Sequence, residues 1–154
     1  MIGSSMAYFG QINLYTDGGS KGNPGPGSIG VVICDATNNL LYEFSECIGH
    51  CTNNQAEYRA LIKGLDLCAL YTRKRITAFS DSELMIKHMN GVYRLKNKEL
   101  RALFQEVKDR ERIFESLVYQ HVKRDANQRI KRADELLNQA HAGRPCNKCI
   151  VNYN

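Results

Sequence analysis

Four carboxylates in this sequence have the type and placement to do chemistry together: Asp17, Glu57, Asp81 and Asp134. Asp17 follows Ile12, Leu14 and Thr16, which alternate with Asn13 and Tyr15 at the period of a half-buried strand. Asp81 follows a second strand-like run, residues 75–80. Glu57 and Asp134 fall within helical patterns. Sites in open sheets form outside the carboxyl ends of strands. Four acids gathered there would repel one another and raise each other's pKa unless cations joined them. Hard cations that accept carboxylate and water oxygens answer that need, and magnesium suits a site that must also take phosphate. Two such ions about 3.5–4 Å apart can hold the attacking water and the leaving oxygen of an in-line phosphoryl transfer. Each acid also has an ordinary reading: a hairpin turn at Asp17-Gly18, favourable charge at a helix start for Glu57, an N-cap at Asp81, and a solvated helix position for Asp134. The flanking residues decide between these readings.

The elements that must position the acids can be read along the chain. After Asp17, the glycines and prolines from Gly18 to Gly27 predict a long sharp turn whose bare backbone permits close approach by a bulky ligand. Residues 28–35 and 40–48 read as two further strands with a turn at Asn38-Asn39, making an antiparallel meander. Thr52 or Asn53 caps a helix whose core face is Tyr58, Leu61, Ile62, Leu65 and Cys68, with Glu57 in its first turn. The strand 75–80 leads to a short helix carrying Leu84, Met85 and Met89. A helix over 98–114, a strand over 117–123 and a helix over 127–142 follow. The order β-β-β-α-β-α-α-β-α predicts an α/β fold: a five-stranded mixed sheet, three strands antiparallel and the rest parallel, with helices packed on it.

The totals bound the classes. At 154 residues, 43% hydrophobic and 24% charged, the chain is one ordinary globular domain. No apolar run approaches a membrane span, and no charged-then-apolar start reads as a signal peptide, so a cytoplasmic location is expected. The net charge of +5 suits an anionic partner without proving one. The six cysteines are irregularly spaced. Cys146 and Cys149 form one C-x-x-C, which lacks the second pair a structural zinc needs even if His141 joined it, leaving a tail disulfide or idle thiols.

The stretches Tyr15–Gly27 (YTDGGSKGNPGPG), Thr52–Leu61 (TNNQAEYRAL), Phe79–Leu84 (FSDSEL) and Ala133–Ala140 (ADELLNQA) resemble type 1 ribonuclease H, over residues 11–142. The region 89–97 is similar to the subgroup without a basic protrusion helix. The resemblance implies a ribonuclease H-like fold and an endonuclease that hydrolyses the RNA strand of RNA–DNA hybrids, leaving 5′-phosphate and 3′-hydroxyl ends. It implies two Mg2+ ions per site, with Mn2+ as a substitute. Asp17 would bridge both, Asp134 would complete the ion that activates water, and Glu57 and Asp81 would complete the ion at the leaving oxygen. Ser20 and Gly22 would approach the RNA strand, Asn23, Asn53 and Gln55 would touch base edges, and Thr52 and Asn54 would hold a DNA phosphate. Residues 1–10 then read as a flexible leader, 11–142 as the catalytic domain and 143–154 as a tail. A monomer acting on hybrid is expected. Cleavage of double-stranded RNA and a non-catalytic hybrid-binding module, reverse-transcriptase-like, are the rival readings.

The sequence departs from the family pattern in three places. The family places an Asn four residues before the last Asp, where this chain has Ile130, while Asn127 stands seven before. Four and seven residues advance about 400° and about 700° around a helix, so an inserted turn would keep Asn127 and Asp134 on one face. Deleting residues 130–132 is then expected to leave turnover within about tenfold. No His stands between Lys123 and Asn127, so Arg124 and Asn127 are the candidate helpers, with Arg129, Lys131 and His121 behind them. Glu83 stands where the family often has Gln, adding negative charge near the expected duplex.

Overall fold

The computed structural model describes residues 9–150; residues 1–8 of the expected leader and 151–154 of the expected tail lie outside the described residues. The elements are β1 (Gln11–Ser20), β2 (Gly25–Asp35), β3 (Leu40–Cys51), α1 (Asn53–Cys68), β4 (Arg75–Ser80), α2 (Glu83–Met89), α3 (Lys98–Glu111), β5 (Ser116–His121), α4 (Gln128–His141) and β6 (Cys146–Cys149). A 3-10 turn, Arg124–Ala126, joins β5 to α4. Residues 90–97, between α2 and α3, form neither helix nor strand.

The sheet runs β5-β4-β1-β2-β3-β6. β1 pairs antiparallel with β2, β2 with β3 and β3 with β6, whereas β1–β4 and β4–β5 are parallel. The mixed sheet is the expected one with a sixth strand added. β6 lies in the segment expected to be a tail, pairing Tyr42 with Cys149 and Ser45 with Cys146. Three residues of strand set two Cα atoms about 10 Å apart, beyond disulfide reach, so the Cys146–Cys149 disulfide is incompatible with β6. The expected leader also ends sooner. Phe9 packs on the core, with its carbonyl accepting from Thr72 Oγ1 at 2.6 Å.

Both faces of the central strands are covered, so they are buried nearly throughout rather than alternately. On one face Leu14, Val31 and Ile33 pack with Tyr58, Leu61 and Leu65 of α1 and with Leu100 and Val107 of α3. On the other, Tyr15, Val32 and Cys34 pack with Ile130, Ala133 and Leu136 of α4. Tyr15, expected on a solvated face, is instead buried, its ring stacked on Phe79 and its hydroxyl donating to Asn38 Oδ1 at 2.8 Å. A two-sided helical cover of this kind fixes where β1, β4 and α4 end relative to one another, and the four acids sit at that end.

Candidate active site

Asp17 lies inside β1, not at its last residue. The antiparallel ladder with β2 continues through Ser20 opposite Gly27, so the glycine turn reduces to residues 21–24. On the other side the parallel ladder with β4 stops at Thr16 opposite Ser80. Asp17 is therefore the first residue of β1 whose β4 side is open, and Asp81 is the first residue beyond β4. The two acids meet because two parallel strands end in register.

Glu57 comes from the face of α1 that lies on β1. It is the fifth residue of the helix, just beyond the first turn expected for it. Thr52 is the N-cap, accepting from the Gln55 N–H at 3.1 Å, while Gln55 Oε1 accepts from the Thr52 N–H at 2.9 Å. α1 rests on β1 at Gly18, where a Cβ would meet the Ala56 carbonyl oxygen at 2.2 Å. That close approach lets the Gly18 N–H donate to Glu57 Oε1 at 3.1 Å. Ligand oxygens of Asp17, Glu57 and Asp81 lie within 4.8 Å of one another. Among the described residues no other group of Cys, His, Asp or Glu comes together this way, the C-x-x-C included.

Asp134, on α4, joins the cluster beside Asp17 but stands outside that group of three. The Arg124 guanidinium spans it: Nη1 is 3.6 Å from Asp134 Oδ1, Nη2 is 2.9 Å from Asp81 Oδ2, and Nη2 is 3.9 Å from Asp17 Oδ2. Arg124 Nε also donates to Asp81 Oδ2 at 2.9 Å. Burial, then the charge of Asp81 and the nearness of Asp134, push the Asp17 carboxyl well above the usual range. Burial, then the charges of Asp17 and Asp81, push Glu57 up as well, with the Gly18 N–H working the other way. Asp17 Oδ2 is buried and accepts no hydrogen bond. An orphaned carboxylate oxygen beside two more acids, all hard donors, fits a divalent cation.

The expected substrate residues are gathered beside the acids. Asn53 Oδ1 accepts from the Ser20 N–H at 2.9 Å and from Ser20 Oγ at 3.1 Å, while the Asn53 N–H donates to Asn23 Oδ1 at 3.0 Å. These bonds tie the start of α1 to the glycine turn, where Gly22 takes φ +78°. Asn54 is exposed. Gln55 is engaged at both ends, because its Nε2 donates to Glu99 Oε2 at 2.6 Å. Sequence reasoning missed Glu99, which stands 44 residues further along on α3.

The candidate helpers separate. Arg124 reaches three of the acids. Asn127 is the N-cap of α4, with Oδ1 accepting from the N–H groups of Arg129 and Ile130 at 3.0 Å. It is extended, at φ −140°, so the helical turn that follows it is real but Asn127 is not part of it. Arg129 donates to the Asn38 carbonyl at 2.8 Å, and Lys131 is exposed. His121 ends β5 opposite Ser80 and lines one hollow with Asp81 and Arg124. Glu83 forms an i,i+4 pair with Lys87 at 3.3 Å.

Residues 15–140 match the family model described as reverse transcriptase-like. Ribonuclease HI of Halobacterium salinarum is 37% identical over 133 residues, 85% of this chain and 64% of that protein, so the chain spans less than two thirds of this relative's length. The crystal structure of RNase H1 from the same halophilic archaeon superposes with a TM-score of 0.81 at 34% identity, covering 87% of this chain and 99% of that one. LC11-RNase H1, solved in complex with an RNA/DNA hybrid, gives 0.79 at 42% identity over 86% and 97% of the two chains. The family model leaves little of the sequence outside it, and the chain belongs to that family as a type 1 ribonuclease H domain.

Proposed function

We propose that this chain hydrolyses the RNA strand of RNA–DNA hybrids, with two divalent cations held by Asp17, Glu57, Asp81 and Asp134, to give 5′-phosphate and 3′-hydroxyl ends. The observation that carries the reading is the convergence of these four acids beside a polar helix start that is hydrogen-bonded to the glycine turn. A module that only bound nucleic acid would need basic residues there and no acid cluster. Divalent cations, when bound, would acidify the attacking water and neutralise charge building on the leaving oxygen.

The chain's own residues supply orientation and recognition. The Gly18 N–H fixes the rotamer of Glu57 before any ligand arrives. The side-chain oxygens of Asn23 and Asn53 are taken by protein N–H groups, so the ends left to the substrate are their NH2 donors. Minor-groove base edges offer acceptors on every base pair, which two such donors can touch without reading sequence. Ser20 and Gly22 border the same place and suit a 2′-hydroxyl, the group that separates RNA from DNA. Thr52 and Asn54 at the helix start suit a phosphate of the DNA strand. Gln55 would have to leave Glu99 to reach a base. All four acids belong to one chain, so a monomer suffices. Among the described residues no helix is long and apolar enough to cross a membrane.

The test is cleavage of end-labelled RNA–DNA, RNA–RNA and DNA–DNA duplexes side by side, with Mg2+ and with excess chelator. Cleavage of the RNA strand of the hybrid, lost in chelator and lost in Asp17→Asn, is the expected result. Binding of hybrid without cleavage by the folded protein would leave a binding module. Equal cleavage of hybrid and RNA duplex would move the substrate to double-stranded RNA.

A further inference from the structure

Arg124 is the one cation paired with the acid cluster among the described residues, and it covers oxygens that a divalent ion would need. Its contacts are uneven. Two of its nitrogens meet the same oxygen, Asp81 Oδ2, both at 2.9 Å, and the group leans from there toward Asp134 and Asp17. Asp81 is also one of the three acids whose oxygens cluster within 4.8 Å. A guanidinium does not lose its charge in a protein. An ion entering beside Asp81 would therefore face a fixed positive charge, and the only relief is movement of the side chain. Arg124 is built for movement. It sits on a three-residue 3-10 turn with no buried residue, and its side chain is 48% exposed. It can leave for solvent without opening either core.

We infer that Arg124 is a built-in counter-ion of the metal-free site, which holds Asp81, Asp134 and Asp17 together and competes with divalent cations for them. The inference rests on the reading that the cluster holds such ions. It gives Arg124 two opposite effects. With no metal it offsets repulsion among the acids and supports the fold. When metal arrives it raises the concentration needed to load the site, and loading frees its guanidinium beside the place where a phosphate would lie.

The experiment is calorimetric titration of Mn2+ into the full chain without nucleic acid, for the wild type, Arg124→Ala and Lys123→Ala, with melting curves of each in chelator and in saturating Mn2+. Lys123 carries the same charge beside the same hollow, and among the described residues the ion pairs to these acids come from Arg124 and not from Lys123. Arg124→Ala should bind Mn2+ about fivefold more tightly, the worth of a partly exposed ion pair, and Lys123→Ala less than twofold. Arg124→Ala should melt lower than the wild type in chelator and equal to it in Mn2+. Unchanged or weaker Mn2+ binding by Arg124→Ala overturns the inference. Equal tightening by both variants also overturns it, because the effect would then belong to net charge and not to the contact. A wild type that takes up no Mn2+ defeats the two-cation reading itself, and the competition with it.

Discussion

The backbone N–H of Gly18 donates to Oε1 of Glu57 at 3.1 Å, a contact that exists because position 18 has no side chain. A Cβ there would stand 2.2 Å from the Ala56 carbonyl oxygen and 2.7 Å from the Glu57 nitrogen. Both are backbone atoms, which cannot swing aside. Gly18→Ala must push α1 off β1, and overpacking of this kind costs about 1–3 kcal/mol, or more where backbone has to move. Chemical denaturation should show that loss. Glu57 would be carried away with the helix, so turnover should fall further than the folded fraction does. A Gly18→Ala protein with normal stability would mean that α1 yields easily and does not fix Glu57.

Gly22 calls for a different substitution from the one its sequence suggests. Read as the place where the RNA backbone approaches, it should accept Val with little change in melting temperature and a raised KM for hybrid. Its φ of +78° overturns the first half of that expectation. The left-handed region costs an L-residue about 1–2 kcal/mol, and a β-branched one more. Gly22→Val should therefore lose stability as well as binding, confounding the two. Asn tolerates this region, so Gly22→Asn should melt within a few degrees of the wild type. If the turn meets the RNA strand, its KM for hybrid should rise severalfold at nearly constant kcat. An unchanged KM would leave Gly22 a turn residue alone.

These two glycines show what was legible and what was not. The motifs located the acids because the residues flanking Asp17 and Glu57 are specific; those around Asp81 are less so, and those around Asp134 would be weak alone. The extent of β1 was hidden. Gly18 and Gly19 read as turn residues, yet they continue the ladder opposite Ile29 and Ser28. Gly18 is glycine because α1 presses on its face of the sheet, as α4 does at Gly30, where a Cβ would meet the Ala133 carbonyl oxygen at 2.1 Å; at Gly19 a Cβ would meet nothing nearer than 3.7 Å. Helix–sheet distance leaves no periodic signal in a sequence. β6 was hidden for another reason: Cys146-Asn147-Lys148-Cys149 has no apolar alternation, and it is a strand because the edge of β3 offers it a partner. The link from Gln55 to Glu99 and the pairing of Arg132 with Glu43 join residues distant in sequence, which spacing arguments do not reach.

That last pairing gives the fold a pH dependence. Arg132 grips the buried Glu43 with two bonds, Nε to Oε2 at 2.8 Å and Nη2 to Oε1 at 3.1 Å. The Arg132 hydrogen bonds hold the Glu43 carboxyl below its ordinary value of 4.5, against burial, which acts the other way. A carboxyl with a lower pKa folded than unfolded contributes stability that is fully present above the ordinary value. That stability drains away as the pH falls below 4.5 toward the folded value. Glu43→Gln should therefore be less stable than the wild type by about 1–2 kcal/mol near neutrality, discounted for the partial exposure of Arg132. The gap should narrow as urea denaturation is repeated at falling pH. Parallel stability curves would remove Glu43 from the acid response.

The same region decides whether residues 130–132 are a spare turn. Spacing alone suggests that deleting them restores the family interval between Asn127 and Asp134 and leaves turnover within about tenfold. The structure gives each of the two flanking residues a task. Ile130 is fully buried with Tyr15, Val32, Ala133 and Leu136, and Arg132 is the partner of Glu43. After the deletion Ala133 would take the place of Ile130, opening a cavity that costs about 2–5 kcal/mol. Glu43 would keep its burial and lose its fork. Three residues also turn a helix by about 300°, not a full circle, so the rest of α4 could not regain its register without rotating. The deletion should melt at least about six degrees below the wild type, since the cavity and the lost fork together cost about 3–7 kcal/mol and 1 kcal/mol is worth about 2–4 °C in a chain of this size. Ile130→Ala should reproduce much of that loss with Arg132 in place. Asp134→Asn, by contrast, should stay folded and lose turnover, because it changes a charge at the site and nothing in the core. Circular dichroism melts of the three variants, with hybrid cleavage assayed well below each transition, separate these effects. A deletion protein that melts with the wild type and turns over normally would restore the spare-turn account.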